Sequence, residues 1–191
     1  MVTRAFVLLF PFLMAFSAFP AEVAGVKIED RDRVANAELV LNGAGLRKRA
    51  FFQVYAIGLY LAERKAAAAD AVGAAGPKRV AMHMLRNVDA QTFTGALADG
   101  IRDNHGEAEA KALELRVTQL GAIMAAVGEA KEGMRITLDW VPAAGTVLGV
   151  NGRPAGSPIA GEDFYRALLR IWLGDNPVQA GLKKALLGDE Q

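Results

Sequence analysis

The chain has 191 residues, 52% of them apolar and 23% charged, with a formal net charge of +1 and no cysteine. That length buries a substantial core without disulfides or metals, and the missing thiol excludes cysteine catalysis, iron–sulfur clusters and cysteine-type zinc sites. The near-neutral balance leaves no electrostatic case for nucleic acid as a partner.

Residues 1 to 21, MVTRAFVLLFPFLMAFSAFPA, have a positive start at Arg4, an apolar run from Ala5 to Ala18 and a small-residue exit near Ala21. This is the layout of a secretory signal peptide, and the run is short for a membrane span. Phe19 and Pro20 make the cleavage site imperfect, so an uncleaved anchor is the alternative. The reading is therefore a signal peptide at 1–21, one domain at 22–191, a periplasmic or secreted location, and no stable membrane span after cleavage. Arg4 is the only charged residue in the segment, so the remainder is neutral.

In the remainder, the alternations Val26-x-Ile28 and Leu39-x-Leu41 read as one or two strands, and Asn42-Gly43-Ala44-Gly45 reads as a turn. Ala50 to Leu61 is a strand that should carry Phe51, Gln53, Tyr55 and Ile57 on one face. Residues 62 to 78 are Ala-rich and predict a short helix closed by Gly73 to Pro77. Residues 79 to 85 form a strand with Val80, Met82 and Met84 opposite His83. Asp89 caps a helix whose Phe93, Leu97 and Ile101 face the core, and residues 107 to 128 make a second one. Residues 134 to 142 are a strand ended by Pro142, and Asn151-Gly152 marks a hairpin. Residues 162 to 174 and the segment VQAGLKKALLG are the closing helices. Strands first, then helices, a hairpin and more helices indicate an α+β fold, an antiparallel sheet with helices on one face.

Few residues can carry chemistry. Gly43-x-Gly45 lacks the third glycine of a dinucleotide fingerprint, and no Gly-Lys-Ser/Thr follows it. His83 and His105 have no metal-ligand spacing; His83 as an axial haem ligand is the residual alternative. Ser157 is the only serine after the leader, and no nucleophile elbow surrounds it. Arg47, Tyr55 and Tyr60 remain. By pattern alone they read first as a surface arginine and core tyrosines, and only second as a site.

NGAGLR, VYAIGLYLAE and GTVLGVNGRPAGSPIAGEDFYRALLRIWLGDNPVQAGLKKALLG together resemble the chalcone isomerase-like family over residues 22 to 188, most closely its bacterial exported branch. The resemblance implies an open-faced β-sandwich in which a large antiparallel sheet carries a layer of helices above a ligand cleft. It matches Arg47 to the arginine of plant chalcone isomerases. Tyr55 stands where they have a threonine, Phe93 and Gly100 where their catalytic helix has a tyrosine and an asparagine, and Ile171 and Trp172 where they have a Ser/Thr-Met pair. General acid–base help and oxyanion support are thereby lost, so chalcone cyclisation is not expected. Plant fatty-acid-binding members pair the same arginine with a tyrosine, which Arg47 and Tyr55 match. The resemblance thus implies an exported, non-catalytic protein holding a fatty acid or similar apolar carboxylate, with no cofactor. Arg47 and Tyr55 would hold the head. Phe51, Ile57, Met82, Met84, Phe93, Leu97, Ile101, Ile171 and Trp172 would form the wall. The alternatives are an isomerase or lyase acting on a small enone, and a carrier of another apolar ligand such as haem.

Overall fold

The computed structural model of the chain describes residues 21–189; the expected signal peptide lies outside them except for Ala21. Strands β3 (Arg31–Val34), β4 (Ala37–Arg49), β5 (Phe52–Leu61), β6 (Lys78–Met84), β7 (Arg135–Val141), β8 (Gly145–Val150) and β9 (Arg153–Ile159) form one sheet. Their order in the sheet is their order in the chain, and every neighbouring pair is antiparallel. A small hairpin of β1 (Ala21–Val23) and β2 (Val26–Ile28) stands apart from that ladder. Helix α1 (Ala68–Gly73) joins β5 to β6, α2 (Ala90–Asp103) and α3 (Glu107–Val127) join β6 to β7, and α4 (Glu162–Leu173) and α5 (Ala180–Leu186) close the chain. This is the α+β sheet-and-helix-layer architecture expected from the sequence.

Alternation in the strands divides the apolar residues between the two faces of the sheet. Ile57, Leu59, Val80, Met82, Ile136 and Leu138 pack under the helices with Phe93, Leu97, Leu120, Phe164 and Leu168. On the other face Leu39, Leu41, Ala56, Tyr60 and Ala81 pack with Ile28 of the small hairpin. Asp89 caps α2, its Oδ1 accepting from the Thr92 amide at 2.8 Å, as its position before the apolar period predicts. Asn151 and Gly152 both have positive φ, and Val150 pairs Arg153 across them, giving the expected tight hairpin.

Two expectations fail at β4 and β5. Asn42 to Gly45 is no turn: it lies inside the thirteen-residue strand β4, and neither glycine has positive φ. The glycines are required by close approach of α5. A Cβ on Gly43 would stand 2.1 Å from the Ala185 carbonyl oxygen, and one on Gly45 would stand 2.7 Å from Leu182 Cδ1. The chain instead reverses at Ala50 and Phe51, with Ala50 at φ +52°, so β5 begins two residues later than expected.

Both strands also carry a bulge, between Leu41 and Gly43 and between Arg47 and Lys48 of the β4 register. One extra residue reverses the facing of everything beyond it. Leu39 and Leu41 therefore face the small hairpin, while Gly43 and Gly45 face α5. The inserted Asn42 is buried and fully used: its side-chain amide donates to Leu186 O at 2.7 Å and Lys65 O at 3.0 Å, and its oxygen accepts from Lys65 N at 2.6 Å.

Candidate functional site

A cleft of about 1320 Å³ opens between the β4–β5 end of the sheet and the helix layer. Its floor and walls include Arg47, Tyr55, Met82, Phe93, Leu97 and Ile171. The bulge at Asn42 is what turns Arg47 toward the helices, and the register sets Arg47 directly opposite Tyr55 on the neighbouring strand. Two side chains eight residues apart in sequence thus become cross-strand neighbours.

Arg47 is half-buried. Its Nη1 donates to Lys48 O at 2.6 Å and makes a 3.5 Å contact with Gln179 Oε1. Gln179, at the start of α5, also accepts from Lys48 N at 3.0 Å and donates to Leu46 O at 3.2 Å. Gln179 therefore fixes the backbone on either side of Arg47. Among the described residues no carboxylate pairs with this guanidinium, which leaves a charge-assisted donor for a guest.

The Tyr55 hydroxyl accepts from Trp172 Nε1 at 3.0 Å. Burial pushes the phenol's pKa up, opposed by the Trp172 hydrogen bond and the Arg47 charge. The phenol is therefore neutral at neutral pH and still carries its proton. Because the oxygen is already an acceptor for the indole, that proton is available as a donor. The pair offers a fork and a hydroxyl, suited to an oxyanion such as a carboxylate.

The expected site residues are distributed as follows. Arg47, Tyr55, Phe93 and Ile171 line the cleft, as do Met82 and Leu97. Trp172 does not; it is 1% exposed and acts on the cleft through Tyr55. Ile57, Met84 and Ile101 belong to the packed core rather than the cleft wall. Phe51 is 93% exposed. The β5 bulge reverses the expected facing, so Phe52 takes the place at the cleft assigned to Phe51. His83 lies on the other face, across from Arg135 and next to the ion-pair network of Arg79, Asp139, Asp32 and Arg135. A group held in the cleft is out of its reach. Among the described residues no three histidine or carboxylate side chains stand together as a metal site.

Gly100 of α2 contacts α4. A Cβ there would lie 2.8 Å from Ile171 Cγ2, so the apolar residue at 171 and the glycine at 100 form one fitted pair. Sequence reasoning missed Gln179, Asn42, Arg49 and Arg86. Arg49 stands in the run Arg47-Lys48-Arg49, while Gln179, Asn42 and Arg86 act through partners distant in the chain.

A family model described as chalcone isomerase-like matches residues 20–188 of the chain. Among curated proteins no sequence matches. Among solved structures, the chain is similar to a fatty-acid binding protein of Arabidopsis thaliana, with a TM-score of 0.67 and 14% identity, over 85% of this chain and 92% of that one. At that identity the likeness is one of fold. No helix among the described residues is long and apolar enough to cross a membrane.

Proposed function

The chain belongs to the chalcone isomerase-like family, and from that premise we propose that it is an exported carrier of a fatty acid or similar amphipathic carboxylate. The head group sits on Arg47 and Tyr55, and the acyl chain runs along Met82, Phe93, Leu97 and Ile171. The observation that carries this reading is the arginine itself: half-buried in a cleft that also presents Met82, Phe93, Leu97 and Ile171, opposite a neutral phenol and without a carboxylate partner among the described residues. A cation left in such a place costs desolvation unless an anion is supplied. The cleft exceeds the roughly 300–1,000 Å³ of usual small-molecule pockets, which suits a long chain. The plant protein of similar fold is itself a fatty-acid binding protein. Export rests on the leader read at residues 1–21.

Native mass spectrometry of the protein recovered from its own compartment tests the reading. A bound carboxylate of acyl type is expected, depleted in Arg47→Ala. Empty protein, or retention indifferent to that substitution, would sink it.

A further inference from the structure

The β4–β5 hairpin tip is Lys48-Arg49-Ala50-Phe51-Phe52, and Phe51 and Phe52 are 93% and 55% exposed. Their rings meet edge to face at 6.4 Å, and the Arg86 guanidinium lies 4.4 Å over the Phe52 ring. Two adjacent exposed phenylalanines are not needed for packing, and such a patch marks a surface that meets another apolar phase. No acidic residue occurs between positions 39 and 62. Of the acids that line the cleft, Asp89 is engaged in capping α2, Asp99 and Asp103 lie at the far end of α2, and Asp175 follows the C-terminus of α4. Arg49, Phe52 and Arg86 line the cleft mouth, so whatever the tip touches opens into the cleft.

Building on the acyl-carrier reading above, we propose that this tip docks on an anionic phospholipid surface, its two phenylalanines entering the headgroup boundary and Lys48, Arg49 and Arg86 holding phosphates. Aromatic rings favour that depth, and lysine and arginine beside it are drawn by the negative surface potential. A docked tip places the cleft mouth against the bilayer, where an acyl chain can pass without crossing water.

The test uses the full chain carrying Phe51→Trp, with vesicles of phosphatidylglycerol and phosphatidylcholine or of phosphatidylcholine alone. Expected are a blue shift of the added indole's emission and its quenching by brominated acyl chains on the anionic vesicles. Adding Lys48→Glu should weaken the partition on the order of tenfold. An indole that stays in water on anionic vesicles overturns the docking, as does a partition indifferent to Lys48→Glu. So does a tip that ignores both vesicles and is shielded only by a protein partner. Binding of a fluorescent fatty acid without vesicles is measured separately, with Phe51→Ser expected at wild-type affinity. Loss of that binding in the unaltered chain, with the indole shift intact, refutes the carrier reading and leaves the docking standing.

Discussion

Trp172 and Tyr55 are 117 positions apart in the chain, and the indole Nε1 of the first donates to the hydroxyl of the second at 3.0 Å. That bond links α4 to β5 and uses one lone pair of the phenol, leaving its proton for the cleft. It therefore serves stability and binding together. Tyr55→Phe should separate the two. Leaving the Trp172 N–H buried and unpaired costs about 1–3 kcal/mol, lowering Tm by about 2–4 °C per kcal/mol for a chain of this size. Trp172→Phe removes the donor and leaves the hydroxyl in the cleft, so calorimetry alongside ligand titration should show Tyr55→Phe losing more affinity for a given loss of Tm. Equal affinity losses at matched stability would deny Tyr55 a role with the ligand.

Arginine and lysine differ here in geometry, not in charge. Hydrogen bonds to charged groups contribute about 1.5–3 kcal/mol, so Arg47→Ala should raise Kd for a fatty acid about tenfold or more. Arg47→Lys keeps the charge but loses the fork and should fall between. Titration calorimetry of both variants checks the order, and a lysine variant at wild-type affinity would contradict a forked contact.

Gly43 is held by α5. Gly43→Ala places a methyl 2.1 Å from the Ala185 carbonyl oxygen, and backbone cannot move aside as a side chain does. A cost of about 1–3 kcal/mol or more is expected, seen as a lower urea midpoint at unchanged m-value. An unaffected midpoint would mean that α5 does not rest on β4.

Gly100 and Ile171 should be coupled. Gly100→Ala and Ile171→Ala each destabilise, and the double variant should recover about 0.5–3 kcal/mol of their sum, because the truncated residue 171 makes room for the new methyl. Additive costs in urea unfolding would show that the two do not meet.

His83 gives a pH dependence of a definite sign. Burial and the Arg135 charge lower its folded-state pKa below 6.5, with Asp32 opposing. The unfolded chain therefore binds its proton more readily, and stability rises with pH between the folded and unfolded pKa values. Stability should be complete above about pH 7 and decline as pH falls through 6.5. His83→Gln should flatten that decline in chemical denaturation between pH 5 and 7. An unchanged slope would place its origin elsewhere.

Local sequence was enough for the helices and most strands. The period of Phe93, Leu97 and Ile101 and the cap at Asp89 mark α2, and Asn151-Gly152 marks the β8–β9 hairpin, because caps, turns and amphipathic periods are determined within a few residues. The pairing of Arg47 with Tyr55 was legible only through the family resemblance. Their meeting is decided by tertiary structure. Strict alternation cannot show where an extra residue enters a strand, and the insertion at Asn42 is stabilised by Lys65 and Leu186, 23 and 144 positions away. The same limit misplaced Phe51 and turned Gly43 and Gly45 into a loop. What those glycines answer to is a helix at the other end of the chain, and close approach between distant segments leaves no local signature beyond the absence of a side chain.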